Sequence, residues 1–189
     1  MNVRPLDEST WPLLEELFGP RGAVEGCWCM WFRQSNAEQR ANAGEGNRKA
    51  LRDLVRSGAP VGLLAVQEER AVGWVAVAPR LDHSRLERSQ VAKPVDLQED
   101  LAGVWSVTCF FVHRSARRQG VTAALLDAAV EHARDGGARI VEGYPVDTEG
   151  AKRNSGSLYH GTLNLFRANG FEVVQRRGTR RALVRRVLR

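Results

Sequence analysis

The segment that most constrains the fold places one helical pattern between two apolar runs. The apolar run at 104–112 predicts a buried strand, and apolar residues at helical spacing over 119–135 predict an amphipathic helix. Gly136 and Gly137 end this helix, and the apolar run at 138–145 predicts the next strand. A strand, a helix and a strand in this order form a βαβ unit, so we expect parallel strands joined by a right-handed crossover.

A basic, glycine-containing loop joins the first strand of this unit to its helix. Arg117, Arg118 and Gln119 precede Gly120, and the helix begins immediately afterwards. The first backbone N–H groups of a helix have no partners inside the helix, and the helix dipole adds positive potential there. Because Gly120 has no Cβ, the backbone can approach a ligand closely. The loop therefore predicts a binding site for a pyrophosphate.

Composition sets broad limits on the class of protein. With 189 residues, of which 26% are charged and 43% hydrophobic, the chain is typical of one soluble globular domain. No apolar run approaches the ~18 residues of a membrane-spanning helix, and residues 1–7 lack the apolar stretch of a signal peptide. Cys27, Cys29 and Cys109 are too few for a disulfide framework or a zinc site. We therefore expect a cytoplasmic protein with no metal and no membrane partner.

The net charge of +6 comes almost entirely from arginine, with one cluster at 176–189. A basic balance can suit nucleic acid, a membrane surface or a phosphorylated ligand. Alternation along the closing strand divides these arginines between its two faces, and no aromatic residue for base stacking follows Phe171. We interpret most of this charge as a solvated basic surface, and the pattern does not favour a nucleic-acid partner.

The other patterns place further strands and helices around the βαβ unit. A hairpin is predicted at 60–79 around the charged turn 67–70, and we expect a long surface loop at 80–102. The aromatic segment 27–32 has no clear secondary-structure pattern. Helices are predicted at 8–18 (capped by Asp7 or Ser9), 47–57 and 157–169, and strands at 2–5, 171–175 and 181–188.

Two motifs in this order carry a family resemblance. Residues 117–122 follow the pattern Arg-x-x-Gly-x-Thr between a strand and a helix, and residues 166–171 follow Phe-x-x-x-Gly-Phe. The arrangement resembles the GNAT superfamily of acyl-CoA-dependent N-acetyltransferases over about residues 60–175. The resemblance implies an α/β fold of the α+β mixed-sheet type, in a single domain. Its central, mostly antiparallel sheet would be splayed at one parallel strand pair and flanked by helices.

Within that single domain, 1–189, the resemblance implies three parts. Residues 1–60 would form helices on the acceptor side. Residues 61–145 would hold the hairpin, the acyl-CoA strand, the phosphate loop and its helix. Residues 146–189 would supply the C-terminal helix and strands.

The chain departs from the family pattern at two positions. Thr122 stands where relatives usually have Gly or Ala, and its small hydroxyl can donate to a phosphate oxygen. Phe166 stands where many relatives have the tyrosine that acts as general acid, and a phenyl ring cannot donate a proton. Tyr159 precedes Phe166 by two turns of the predicted helix, so the two side chains should share one face. The resemblance places that face along the pantetheine arm.

The resemblance implies transfer of an acetyl group from acetyl-CoA, as co-substrate, to a primary amine by direct attack in a ternary complex. The amine must be neutral, so a base or an ordered water must take its proton. A backbone N–H near Val112, where the parallel strands would part, can stabilise the oxyanion. The departing thiolate corresponds to a thiol of pKa ~8.5, so a general acid helps without being indispensable.

The resemblance also assigns residues to the cofactor. These residues lie on the predicted strand, in the phosphate loop and on the later helix. They are Phe110, Phe111, Val112, Arg117, Arg118, Gln119, Gly120, Val121, Thr122, Ala123, Tyr159 and Phe166.

Three residues are candidates for catalysis. Glu142 and Tyr144 share one face of the second strand, and a half-buried Glu142 could act as general base. The alternative for Glu142 is a surface residue paired with an arginine. Ser106 aligns with a position that carries a glutamate base in some relatives, and it could position a water. His160 adjoins Tyr159 and would point elsewhere on a helix, and Cys109 is expected to be a buried, inert thiol.

The acceptor is the least determined part of the prediction. Trp28, Met30 and Trp31 form either an aromatic acceptor pocket or part of the core. A small amine, an amino acid and a peptide N-terminus all remain open as acceptors. A non-catalytic acyl-CoA-binding sensor is the alternative function, since Phe166 replaces the usual acid. A homodimer formed through the closing strands is also possible.

Overall fold

A computed structural model describes residues 1–149 and 158–188. Within these residues seven strands form one sheet, and no helix is long and apolar enough to cross a membrane. The strands are Asn2–Pro5 (β1), Gly62–Gln67 (β2), Arg70–Pro79 (β3), Val104–Val112 (β4), Ile140–Gly143 (β5), Glu172–Arg177 (β6) and Arg181–Val187 (β7). The α-helices are Trp11–Phe18 (α1), Asn36–Ala41 (α2), Glu45–Arg56 (α3), Val121–Asp135 (α4) and Leu163–Ala168 (α5).

The strand order is β1-β2-β3-β4-β5-β7-β6, and β4 with β5 is the one parallel pair in this sheet. Their pairing runs from Val104 with Ile140 to Val107 with Gly143. Beyond that point β4 continues, and its register against β3 shifts around Thr108, which is the position of a β-bulge. The structure confirms the predicted mixed sheet, which is mostly antiparallel and opens at the parallel pair.

Helix α4 forms the first core on one face of the sheet. Its buried residues recur at helical spacing and include Val121, Leu125 and Ala129. A Cβ on Gly73 of β3 would lie 2.7 Å from Val121, so the glycine lets the helix approach the strand closely. The contact holds the N-terminus of α4, and therefore the basic loop before it, against β3.

The opposite face is covered by α1, α3 and the segment that contains the aromatic residues 27–32. Turns rather than a helix or a strand hold this segment. Trp28 is buried between Trp11, at 6.1 Å between ring centroids, and Phe18, at 5.5 Å. Trp28 and Met30 both belong to this second core, which favours the core alternative over an acceptor pocket for these two residues.

The C-terminal helix is shorter than predicted. Helix α5 begins at Leu163 because Thr162 caps it with its side chain and Gly161 has a left-handed φ of 76°. Tyr159 therefore lies in the turn before the helix, and the expectation that Tyr159 and Phe166 share a helical face is wrong. The first residue of the predicted helix 157–169 lies outside the described residues.

Smaller differences concern caps and loops. The N-cap of α1 is Thr10, while Asp7 accepts from the backbone N–H groups of Ser9 and Thr10 just before the helix. Helix α2, which was not predicted, begins at a capping box formed by Ser35 and Glu38. The segment 80–102 is not wholly a surface loop. It contains two 3₁₀ helices and buries Arg80, His83, Leu86 and Ala92.

We predict that Gly143→Ala lowers the free energy of unfolding by about 1–3 kcal/mol, because the new methyl group would overlap the ring of Phe166. Urea denaturation measures this loss. In a Phe166→Leu background, the smaller side chain leaves room for the methyl group, so Gly143→Ala should cost less than it does in the wild type. An equal loss from Gly143→Ala in both backgrounds would contradict this packing.

Candidate functional site

The basic loop has the backbone geometry that an anion site needs. Gly120 is the N-cap of α4 with φ 77°, and a Cβ built on it would meet nothing within 4 Å. Arg117, Arg118 and Gln119 are exposed beside it. The side chain of Val121 is buried in the first core, so only its backbone can face a ligand here. The space in front of the helix N-terminus is open and carries positive potential.

A cavity of about 710 Å³ extends from the basic loop, past β4, to the loop that holds Cys27 and Cys29. We call it the thiol-lined cavity, because Cys109 of β4 also faces it. It brings together half of the residues predicted to bind the cofactor. These are Phe110, Phe111, Val112, Arg117, Thr122 and Tyr159.

Two of these thiols, those of Cys27 and Cys29, stay uncharged at the inner end of this cavity. Burial raises the pKa of Cys27 to about 11. A hydrogen bond with Cys109, together with burial, raises the pKa of Cys29 well above its usual value. Cys29 also accepts a hydrogen bond from Trp74 Nε1 at 3.0 Å. Cys109 is half-buried rather than buried, since it faces the cavity, and all three cysteines are free thiols.

The open edge of β4 is partly covered by the turn that precedes α5. The N–H of Phe110 donates to the carbonyl of Tyr159 at 2.6 Å. His160 Nδ1 lies 3.0 Å from the carbonyl of Thr108, and since a carbonyl only accepts, this nitrogen carries the hydrogen. By alternation, the N–H of Val112 points to the same edge, nearer the basic loop.

His160 is a site residue that the sequence analysis placed wrongly. Its ring lies between Tyr159, at 4.1 Å between centroids, and Phe32, at 5.5 Å. Burial and the nearby charge of Arg181 lower the pKa of His160 to about 3, so the ring is neutral at pH 7. Because Nδ1 holds the hydrogen, Nε2 is an acceptor. The predicted helix began too early, so His160 was placed on a helix rather than in the turn before it. The sequence signal for the later start was the glycine at 161, which has a left-handed φ in the structure.

A second cavity, of about 490 Å³, also has Tyr159 in its wall. We call it the arginine-lined cavity, because Arg85 and Arg181 are in its wall. Trp31, Phe32 and Tyr159 line both cavities, and we call these three residues the aromatic wall. Trp31 is 42% exposed, so one of the three predicted acceptor-pocket residues does lie beside open space.

Glu142, Ser106 and Tyr144 lie together, but in a buried network. Glu142 Oε1 accepts from Arg80 Nη1 and, at 2.6 Å, from the Tyr144 hydroxyl. Glu142 Oε2 accepts from Arg185 Nε at 2.9 Å, and Ser106 Oγ lies 2.8 Å from the Tyr144 hydroxyl. Glu142 and Ser106 are completely buried. The geometry favours the arginine-paired alternative for Glu142, in the interior rather than at the surface.

The buried network makes the Tyr144 hydroxyl a poor candidate for a general acid. Burial and the charge of Glu142 raise the pKa of the Tyr144 hydroxyl well above its usual value. A hydroxyl with a raised pKa is a poor proton donor, and its hydrogen is already engaged with Glu142. The observed geometry therefore supports a structural role for the three residues predicted to be catalytic.

Phe166 is also a core residue. It is completely buried, and its ring packs edge to face on Phe171, at 4.9 Å between centroids, and on Phe110, at 6.2 Å. Its side chain presents no surface to a cofactor, so the structure gives no support to the contact predicted for it. Ala123, on the first turn of α4, is half-buried.

No cluster of three or more His, Cys, Asp or Glu side chains in residues 1–149 and 158–188 could hold a metal ion.

The sequence of residues 27–154, more than half of the chain, matches the profile of the Acetyltransferase (GNAT) family. The chain belongs to the GNAT acetyltransferase family. No functionally curated protein matches it.

Solved structures show the same GNAT fold over the whole chain. Ribosomal-protein-alanine N-acetyltransferase from Brucella melitensis has 18% identity, covers 100% of both chains and gives a TM-score of 0.55. PaiA N-acetyltransferase from Thermoplasma acidophilum, solved with coenzyme A, has 13% identity over 99% of this chain and 98% of its own, with a TM-score of 0.56. YncA from Salmonella typhimurium, solved with its cofactor acetyl-CoA, has 14% identity over 100% and 94%, with a TM-score of 0.57. At these identities the likeness establishes the fold alone.

We predict that Glu142→Gln lowers the stability of this GNAT domain by about 3–5 kcal/mol, because the buried Arg80 guanidinium loses its countercharge. Glu99→Gln is the matched control, since Glu99 also pairs with Arg185 but is 20% exposed, and it should cost less. Urea denaturation compares the two. If Glu142→Gln instead keeps its stability and its acetyl-CoA affinity but loses more than about tenfold in turnover, Glu142 is the general base.

We predict that His160 makes the protein less stable in acid. The pKa of His160 is lower in the folded protein than in the unfolded chain, so between pH 6.5 and 3 only the unfolded chain takes up this proton. Stability should fall as the pH decreases through this window. In His160→Asn the fall should be smaller than in the wild type. Parallel pH curves for the two proteins would contradict the burial of a neutral His160.

Proposed function

We propose that the chain is an N-acetyltransferase that transfers the acetyl group of acetyl-CoA to a primary amine by direct attack in a ternary complex. The meeting of two cavities carries this proposal. The thiol-lined cavity extends from the basic loop to the aromatic wall, and the arginine-lined cavity shares that wall. Two reactants, one in each cavity, would meet at this shared wall.

The residues of the thiol-lined cavity fit acetyl-CoA, which supplies an activated thioester when bound. The open, glycine-containing N-terminus of α4 suits a pyrophosphate, with Arg117 and Thr122 at the mouth of the cavity. The uncharged thiols of Cys27 and Cys29 and the Phe111 side chain suit an uncharged arm. The N–H of Val112 is on the edge that such an arm would follow, as the sequence analysis expects for an oxyanion donor.

His160 is the group best placed to orient the amine. It lines the arginine-lined cavity behind the aromatic wall, and its unprotonated Nε2 can accept a hydrogen bond from an amine N–H. A histidine with a pKa of about 3 is too weak a base to hold the proton, so the proton passes on to solvent. The departing thiolate, whose thiol has a pKa of ~8.5, needs no strong acid, and the absence of a hydroxyl at Phe166 is compatible with turnover.

We predict that Gly120→Glu abolishes acetyl-CoA binding in calorimetric titration, whereas Gly120→Gln keeps much of it. Both variants impose the same left-handed strain and nearly the same volume at φ 77°, so they differ mainly in charge. A carboxylate at this position would repel the pyrophosphate. Wild-type affinity in both variants would remove the loop from the site, and no binding to the wild type would overturn the proposal.

A screen of amines with detection of released coenzyme A thiol distinguishes the enzyme from its alternative. Acetyl-CoA-dependent release that requires an amine supports the acetyltransferase. Saturable acetyl-CoA binding without transfer to any amine would instead support a non-catalytic acyl-CoA-binding sensor. The buried position of Glu142 is the observation that keeps this second function open, because Glu142 pairs with Arg80 and Arg185 and lines neither cavity.

A further inference from the structure

The arginine-lined cavity contains a guanidinium, that of Arg85, which is held in place by neutral groups. Arg85 Nε donates to the carbonyl of Gln34 at 3.1 Å, and Nη1 donates to Asn36 Oδ1 at 2.6 Å. The guanidinium stacks on the Trp31 ring, 3.9 Å from its centroid. Its Nη2 is buried and has no hydrogen-bond partner among the described residues. These contacts fix the orientation of Arg85 without neutralising it.

Arg181, at the start of β7, is the second such guanidinium. Its Nη2 donates to the carbonyl of Tyr144 at 2.8 Å, and its Nε is buried without a partner in the described part of the chain. Burial lowers the pKa of both Arg181 and Arg85, which is the direction expected for a cation without a nearby anion.

In the described part of the chain, acidic side chains do not act as partners of these two guanidinium groups. Among residues 1–149 and 158–188, no ion pair joins Arg85 or Arg181 to an acidic side chain. Residues 150–157 contain no Asp or Glu. The cavity wall does include Glu38 and Glu87, but Glu38 accepts from the backbone of Ser35 in its capping box, and Glu87 is exposed. A partly desolvated cation normally has an anionic partner, and in the described part of the chain neither Arg85 nor Arg181 pairs with one.

Further arginines lie next to the arginine-lined cavity. A groove beside the cavity shares Arg181 and Val91 with it and is lined by Arg176, Arg177 and Arg180. Arg176 is paired with Asp147, whereas Arg177 donates to two backbone carbonyls. Like charges in one concave region attract anions and repel polycations.

We propose that the acceptor of this acetyltransferase is an amine that carries a carboxylate, and that Arg181 and Arg85 bind this carboxylate in the arginine-lined cavity. The inference rests on the proposed function. A guanidinium presents two parallel donors that match a carboxylate. With the carboxylate at the arginines, the amine of an amino acid or short peptide would extend toward the aromatic wall and His160. A cavity of about 490 Å³ has room for such a ligand.

Matched pairs of acceptors test the proposal. The values of kcat/KM are compared for glycine and glycinamide, for β-alanine and its amide, and for dipeptides and their amides. We expect each carboxylate to exceed its amide by about tenfold or more. Arg181→Gln and Arg85→Gln should each reduce that ratio by about tenfold. Arg70→Gln makes the same charge change outside both cavities, where Arg70 pairs with Glu16, and it should leave the ratio intact.

The outcomes separate this inference from the proposed function. Preference for amides or polyamines would overturn the carboxylate assignment while transfer itself stands. Preference for amines that carry a phosphate would overturn it as well, in favour of a different anion. If acetyl-CoA binds but no amine is acetylated, the proposed function fails. Thermal shift then tests separately whether the arginine-lined cavity binds a carboxylate. A rise in Tm with the amino acids that Arg181→Gln abolishes would support the carboxylate site, and no rise in the wild type would overturn it.

Discussion

The short parallel pairing of β4 with β5 is the constraint on which the site depends. It ends at Val107 and Gly143, and β4 then continues to Val112 along an edge that the sheet no longer covers. Backbone groups on such an edge need other partners. The turn at 158–161 supplies two of them, at Thr108 and Phe110, and the thiol-lined cavity extends along the remainder toward the basic loop. Both cavities therefore owe their position to the point at which two strands part.

The buried network fixes the register of the strands just before they part. Ser106 of β4, Glu142 of β5 and Arg185 of β7 are register neighbours, and Arg80 reaches Glu142 from the segment after β3. Such a network is satisfied in one register alone, because a slip by one residue would leave buried charges unpaired. Its stabilising value over an apolar core is modest, so its main effect is to specify the register of the sheet.

Sequence reasoning succeeded where the signal was local. The βαβ unit, the basic loop and the glycine stop follow from period, charge and glycine positions, and the structure confirms them. The boundary of α5 was missed because the apolar pattern continues through Gly161, while the left-handed φ there and the Thr162 cap begin the helix later. Alternation put Glu142 and Tyr144 on one face correctly, but only the tertiary structure shows that Arg80 and Arg185 meet them there. The two cavities are likewise properties of packing between distant segments, which no single pattern encodes.

The environment of Phe166 explains why a phenyl ring, rather than a tyrosine, fits at this position. The ring is enclosed by Phe110, Phe171 and Gly143. A tyrosine there would bury a hydroxyl among apolar groups, at a cost of about 1–3 kcal/mol without a partner. The polar side chains at the meeting point of the cavities come instead from the turn just before α5, where Tyr159 and His160 are held by β4 through backbone contacts. In the proposed reaction, this turn therefore takes the place of the helix as the element that presents polar groups to the amine.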